Sequence, residues 1–184
     1  RVPRIARTLV VLAADDLDFK ASAPAYDGWA EPCGGRTRAE SVAAGLAALR
    51  RRGVRAQDWV LVHDAARCLV RPDSIDRLID ACIGDAVGGL LALPLADTLK
   101  QSDAADRVAA TLDRSGKWAA QTPQMFRLGL LRQALAQAGG QVTDESSAVE
   151  ALGHAPLLVA GEPDNFKLTW PADFALAARL LAGS

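Results

Sequence analysis

With 184 residues, 50% of them hydrophobic, and no uninterrupted apolar run of about 18 residues, the chain reads as one globular domain over residues 1–184, with a sizeable core and no membrane span. Its 21 basic and 22 acidic residues leave a net charge of -1 and a pI near 6.1, which excludes the broad basic surface of a nucleic-acid binder. Three cysteines without CxxC spacing, 5% aromatics and two histidines argue against a disulfide framework, a structural zinc site or stacking platforms, and fit a reducing cytoplasm.

Residues 1–7 form no secretory signal, because no long apolar stretch with a cleavage site follows them. The chain opens almost directly into a buried-type strand at residues 8–13, so an upstream segment is expected to be absent, and the end at Ser184 points to a free-standing protein. Residues 15–20 read as a polar connector, and residues 29–33 as a short strand ending at Gly34 and Gly35. A capping box at Thr37 and Glu40 then starts an alanine-rich helix that runs to Arg52 and stops at Gly53. Residues 59–63 are the next strand. Pro72 opens a helix with Ile75, Leu78, Ile79 and Cys82 on one face, and residues 88–93 return to strand. This alternation predicts an α/β fold, a Rossmann-like mostly parallel sheet flanked by helices and joined by right-handed crossovers.

Residues 95–118 break the rhythm. Residues 97–101, 107–112 and 117–121 read as short strands separated by polar turns at Ser102-Asp103 and Ser115-Gly116. A hairpin that leaves the body of a domain exposes its edges, which proteins usually cover, so this segment is expected to be a protruding β-arm used in dimerisation. Helices resume at residues 128–138, at residues 144–152 with Thr143 as the cap, and at residues 172–181 after Pro171. Residues 156–160 and 166–169 are strand-like.

The run from Val60 to Arg67 carries the leading site candidate. It is an apolar strand ending at Asp64, Ala65, Ala66 and Arg67, and ligands of open α/β sheets sit beyond such strand ends. A single strand-end carboxylate suits Mg²⁺, which keeps waters and takes other ligands from substrate phosphates; the alternative for Asp64 is a solvated turn aspartate. Arg67 could fork to a phosphate or form a surface ion pair. Gly34, Gly35, Arg36 and Thr37 lead into a helix start that could hold polar or anionic ligand atoms, with Ser41 one turn inside, or could be only a turn and a cap. Thr122, Arg114, Thr143 and Lys167 stand near element ends, where caps and surface groups are common. His63 fits a hydrogen-bonded core histidine better than a base, His154 a loop residue, and the cysteines buried small hydrophobes.

Taken together, these segments resemble the 2-C-methyl-D-erythritol 4-phosphate cytidylyltransferases of the non-mevalonate isoprenoid pathway. The resemblance runs from about Thr8 to Leu181. It rests on Gly34-Gly35 followed by Arg38-Ala39-Glu40-Ser41-Val42, on Val62-His63-Asp64-Ala65-Ala66-Arg67, on Asp97-Thr98-Leu99-Lys100, and on Asp113-Arg114 leading to Trp118. Gln121-Thr122-Pro123-Gln124, Thr143-Asp144-Glu145, and Asp164-Asn165-Phe166-Lys167-Leu168-Thr169 before Pro171 and Asp173 complete it.

The resemblance implies a homodimer whose β-arm embraces its partner, CTP and methylerythritol phosphate as substrates, and Mg²⁺ as cofactor. It puts Gly35, Arg36, Ser41 and Ala65 at the nucleotide and Asp64 on the metal. It puts Arg67, Thr122, Thr143 and Lys167 at methylerythritol phosphate, with Thr98 and Arg114 reaching it from the other subunit; Asp64, Arg114 and Lys167 would be catalytic. The family's glycine-rich loop and following Pro-Lys-Gln segment are expected to be lacking here. Cys68 stands where a proline is common, and Arg36 where an acid is. Two other readings stand beside this one: a nucleotidyltransferase for another polyol or sugar phosphate, and an inactive dimeric binding protein.

Overall fold

The computed structural model describes residues 2–139 and 142–183; Arg1 and Ser184, on which expectations about the chain ends partly fall, lie outside them. In chain order the elements are β1 (Leu9–Val11), α1 (Phe19–Ser22), β2 (Trp29–Glu31), α2 (Arg38–Arg51), β3 (Trp59–Val62), α3 (Pro72–Cys82) and β4 (Gly88–Pro94). They continue with β5 (Leu99–Ser102), β6 (Val108–Leu112), β7 (Trp118–Arg127), α4 (Leu128–Gln137), α5 (Glu145–Glu150), β8 (Leu157–Ala160) and α6 (Pro171–Ala182). The α/β class holds.

The main sheet is mixed, in the order β3-β7-β4-β8. Strand β4 runs parallel to β8, while β7 lies between β3 and β4 and runs antiparallel to both. Strands β1 and β2 form a separate parallel pair. Two clusters of buried side chains lie against the main sheet. Phe126 belongs to the cluster with Leu46, Val60, Leu131 and Val149, and its neighbour Met125 to the one with Leu78, Cys82, Leu91 and Val159. Successive strand residues face opposite sides, so one central strand feeds both cores.

Strand β7 is the main departure from the sequence reading. Residues 117–121 were expected to be a third short arm strand; they are the start of a ten-residue strand that returns into the body. Pro123 follows a cis Thr122–Pro123 bond and lies where the pairing with β4 shifts, between Leu90↔Gln124 and Ala92↔Ala120. The irregularity removes the need for the ladder donor that proline lacks, which is how a proline sits inside a central strand. Gly88 belongs to the same contact. Its φ is +113°, and a Cβ there would meet the Met125 carbonyl oxygen at 2.1 Å, so only glycine fits beside β7.

Smaller corrections follow the hydrogen bonding. Helix α5 is capped by Asp144, not Thr143: the Asp144 carboxylate accepts from the Ser147 amide at 2.9 Å, and the Ser147 hydroxyl closes the capping box. Asp144→Ala is expected to cost about 1–2 kcal/mol in urea unfolding, and a loss within 0.5 kcal/mol, about the smallest cap effect, would mean that the cap is dispensable. Residues 166–169 form no strand; the Leu168 amide donates to the Ala66 carbonyl at 2.8 Å, which ties the segment to the turn after β3. The connector at residues 15–20 includes the start of α1. The box predicted at Thr37 and Glu40 is present in full. Strands β5 and β6 pair only with each other, and Val108 and Leu112 on β6 are exposed.

Candidate active site

The carboxyl end of β3 delivers Asp64 into a ring of polar groups. Its backbone amide donates to the Thr122 hydroxyl oxygen at 3.0 Å, which ties the end of β3 to β7. The same hydroxyl is 3.0 Å from His63 Nδ1, and His63 Nε2 is 3.1 Å from the Arg67 carbonyl oxygen. A carbonyl can only accept, so Nε2 carries the hydrogen, and the Thr122 hydroxyl donates its own to Nδ1. Loss of solvent around the ring pushes the His63 pKa down and favours this neutral form, although part of the residue remains exposed. His63 is therefore a structural tie, hydrogen-bonded as its sequence position indicated but exposed and not a core residue.

Arg67 closes the turn by donating its amide to the Asp64 carbonyl at 2.9 Å. Its guanidinium reaches the Asn165 carbonyl at 2.7 Å and the Ala120 carbonyl at 3.3 Å, while its Nε is buried without an acceptor. Asn165, 1% exposed, donates to the Thr122 carbonyl at 2.9 Å and so pins the segment that carries Lys167. Lys167 Nζ lies 3.4 Å from Asp64 Oδ2.

The other oxygen, Asp64 Oδ1, accepts from Arg38 Nε at 2.7 Å. Both terminal nitrogens of Arg38 go to Glu145, at 2.7 and 2.9 Å, and the Glu145 side chain is 1% exposed. Burial by itself would lower the Arg38 pKa, but Glu145 and then Asp64 raise it further than burial lowers it, so the guanidinium stays charged. Burial would likewise raise the Asp64 pKa; the Arg38 hydrogen bond and charge, with Lys167 behind them, outweigh it and hold Asp64 below the usual carboxylate range.

A depressed carboxylate pKa contributes stability that is present above the unfolded value, about 3.9, and is lost as pH falls through the folded one. The stability advantage of the wild type over Asp64→Asn should therefore shrink as urea titrations move below about pH 4. An advantage that stays constant down to full protonation would contradict this pairing.

The loop before α2 is built for shape. The Gly35 amide donates to Ser41 Oγ at 3.0 Å, the Ser41 hydroxyl donates to the Thr37 carbonyl at 2.9 Å, and the Arg36 amide donates to Glu40 Oε2 at 2.6 Å. A Cβ at Gly35 would lie 2.3 Å from that of Glu40, so the capping glutamate requires glycine here. Arg36, Ala65 and Thr143 are exposed, and Thr143 borders a cavity of about 20 Å³ together with Arg38, Asp144 and Glu145. Thr98 precedes β5 and Arg114 follows β6, both exposed, and no hydrogen bond or ion pair described links them to Asp64.

Sequence reasoning passed over Arg38 and Glu145 as site residues. One signal was available: a cation in the first turn of a helix opposes the helix dipole, so Arg38 needed carboxylates from elsewhere. Among the described residues no group of three or more His, Cys, Asp or Glu could hold a metal by itself. The donor set at Asp64 suits only a hard cation that takes its other ligands from phosphates and water.

Comparison with known proteins bears on this geometry. The family model described as IspD: 2-C-methyl-D-erythritol 4-phosphate cytidylyltransferase matches residues 2–182. The bifunctional enzyme IspD/IspF of Albidiferax ferrireducens is 62% identical over 182 residues, covering 98% of this chain and 43% of that protein. The 2-C-methyl-D-erythritol 4-phosphate cytidylyltransferase of Bordetella petrii is 62% identical over 153 residues, covering 82% of this chain and 66% of that protein. A solved structure of a 4-diphosphocytidyl-2C-methyl-D-erythritol synthase superposes with a TM-score of 0.90 at 44% identity, covering 96% of this chain and 82% of that one. The chain thus spans less than two thirds of the two sequence relatives.

Proposed function

Since the chain belongs to the 2-C-methyl-D-erythritol 4-phosphate cytidylyltransferase family, we propose that it transfers the cytidylyl group of CTP to 2-C-methyl-D-erythritol 4-phosphate and releases pyrophosphate, a step in isoprenoid precursor synthesis. The observation that carries this reading is Asp64, held at a strand end by Arg38 and Lys167 beside Arg67 and Thr122. In the reaction a phosphate oxygen of the acceptor bonds to the α-phosphorus of CTP while the bond from that phosphorus to the bridging oxygen breaks. The acceptor is largely a dianion at neutral pH, since its second pKa is about 6. No general base is needed, which agrees with a site whose one histidine is engaged in structural bonds.

The work left to the protein is to hold anions together in line. Asp64 would hold a divalent cation, Mg²⁺ being the natural one, and such an ion supplies charge neutralisation on the triphosphate and the departing pyrophosphate. Lys167, 48% exposed, can leave Asp64 Oδ2 for the acceptor phosphate. The Arg67 guanidinium, held on the Asn165 and Ala120 carbonyls, would add positive charge beside the acceptor phosphate. Thr122 and Thr143 would border the acceptor, and Gly35, Arg36, Ser41 and Ala65 the nucleotide. Thr98 and Arg114 would complete the acceptor site from the hairpin of a second subunit, a reading that their exposure at the ends of that hairpin supports. No helix among the described residues is long and apolar enough to cross a membrane, and Cys33, Cys68 and Cys82 are free thiols, as suits action in a reducing cytoplasm.

Pyrophosphate release from CTP, Mg²⁺ and methylerythritol phosphate tests the reading. Release that requires all three supports it. Faster turnover of ribitol phosphate would favour a different polyol acceptor, and no release with any acceptor would favour a binding protein.

A further inference from the structure

Asp64 is the end of a chain of side-chain contacts that begins inside the protein. Glu145 opens α5, and two bonds of the buried Gln124 on β7 fix that helix start: Gln124 Nε2 donates to Asp144 Oδ2 at 2.8 Å, and the Ser146 amide donates to Gln124 Oε1 at 2.8 Å. The Glu145 carboxylate is withdrawn from water and spends both oxygens on Arg38. Such a fork is planar and bidentate, which fixes the guanidinium plane as well as its position. The remaining Nε–H of Arg38 points at Asp64 Oδ1.

Two consequences follow. First, Arg38 is committed. Turning its fork to a substrate phosphate would leave the buried Glu145 carboxylate uncompensated, which is far more costly than breaking an exposed pair. It is therefore a positioning residue and not a phosphate ligand. Second, the two oxygens of Asp64 are unlike. Oδ1 is held at 2.7 Å by a group that cannot leave, whereas among the described residues Oδ2 pairs with Lys167 alone, at 3.4 Å, on a side chain 48% exposed.

We propose that Glu145 and Arg38 position Asp64, so that Oδ1 is locked and Oδ2 alone is presented to the divalent cation. This rests on the cytidylyltransferase reading only for what the cation does. The positioning is read separately by binding of Mn²⁺ in the presence of CTP, followed by electron paramagnetic resonance of the free ion, with Asp64→Asn defining the background.

Glu145→Gln should weaken the Asp64-dependent Mn²⁺ affinity and lower kcat by about tenfold or more, the usual effect of losing a partner behind a metal ligand. The KM for methylerythritol phosphate should change by less than about threefold, because ground-state acceptor contacts are untouched. Arg38→Lys keeps the charge that Glu145 requires and so should fold, but one ammonium cannot span both carboxylates, and it should lose as much. Glu145→Asp should recover part of the loss. A purely structural role would lower melting temperatures and leave Mn²⁺ affinity at 25 °C unchanged. The proposal is overturned if Arg38→Lys, or a folded Glu145→Gln, binds Mn²⁺ within about twofold of wild type. It is also overturned if wild-type Mn²⁺ binding is independent of Asp64. Asp64-dependent Mn²⁺ binding that weakens in these variants, with no pyrophosphate formed by the wild type, would support the positioning and reject the reaction.

Discussion

Asp64→Asn is expected to lower kcat/KM for cytidylyl transfer by about three orders of magnitude, equivalent to about 4 kcal/mol of transition-state stabilisation. The substitution keeps the shape and keeps an acceptor for Arg38 Nε, so the Arg38–Glu145 pair survives and the fold should stand. What it removes is the negative charge at Oδ2 and, in its place, it turns an amide donor toward Lys167, the cation that now lies 3.4 Å from that oxygen. A neutral amide is a poor ligand for a hard dication that must shed water to bind. The loss should therefore fall mainly on kcat, where charge builds on the departing pyrophosphate. Steady-state pyrophosphate release across CTP concentrations measures it. Activity within about tenfold of wild type would remove Asp64 from the chemistry.

Phe126→Ala is expected to destabilise the fold by about 3–5 kcal/mol, a large share of the roughly 5–15 kcal/mol by which domains are usually stable. Phe126 is fully buried, and its cluster includes Leu46 of α2, Val60 of β3, Leu131 and Ala134 of α4, and Ala148 and Val149 of α5. Truncation leaves a cavity where these elements meet, and close-packed neighbours fill such a space only in part. Helix α2 carries Arg38, β3 leads to Asp64 and α5 carries Glu145, so the same cavity lies behind all three side chains of the relay. Urea unfolding reports the stability, and a cost under 1 kcal/mol would mean that the cluster collapses onto the gap, unlike the 3–5 kcal/mol typical of buried phenylalanine. Activity should decline at temperatures where the variant is still folded.

The two experiments probe different ranges of interaction, and the sequence was informative about them to different degrees. Asp64 was visible because an apolar strand ending in a carboxylate is a local pattern. The box at Thr37 and Glu40 was visible for the same reason: its bonds span three residues. One residue of error at α5 came from choosing between Thr143 and Asp144, adjacent residues that both make good caps; the backbone entering the helix selects Asp144. Strand β7 extends past the expected end at residue 121 through Pro123, and the irregularity that tolerates a proline there exists only once β4 lies alongside.

Arg38 and Glu145 were hidden for a related reason. They are 107 residues apart, and nothing in either neighbourhood names the other. By itself the sequence determined the α/β class, the start of α2, the hairpin excursion and the strand-end carboxylate, all of which follow from short-range periodicity, capping and turn chemistry. Tertiary structure alone decided that β7 runs against its neighbours, that Thr122 gives its hydroxyl hydrogen to His63, and that Asp64 has one fixed oxygen and one exchangeable one. Those features depend on which groups are brought within hydrogen-bond reach after burial, where a charge must find its partner wherever the chain places it.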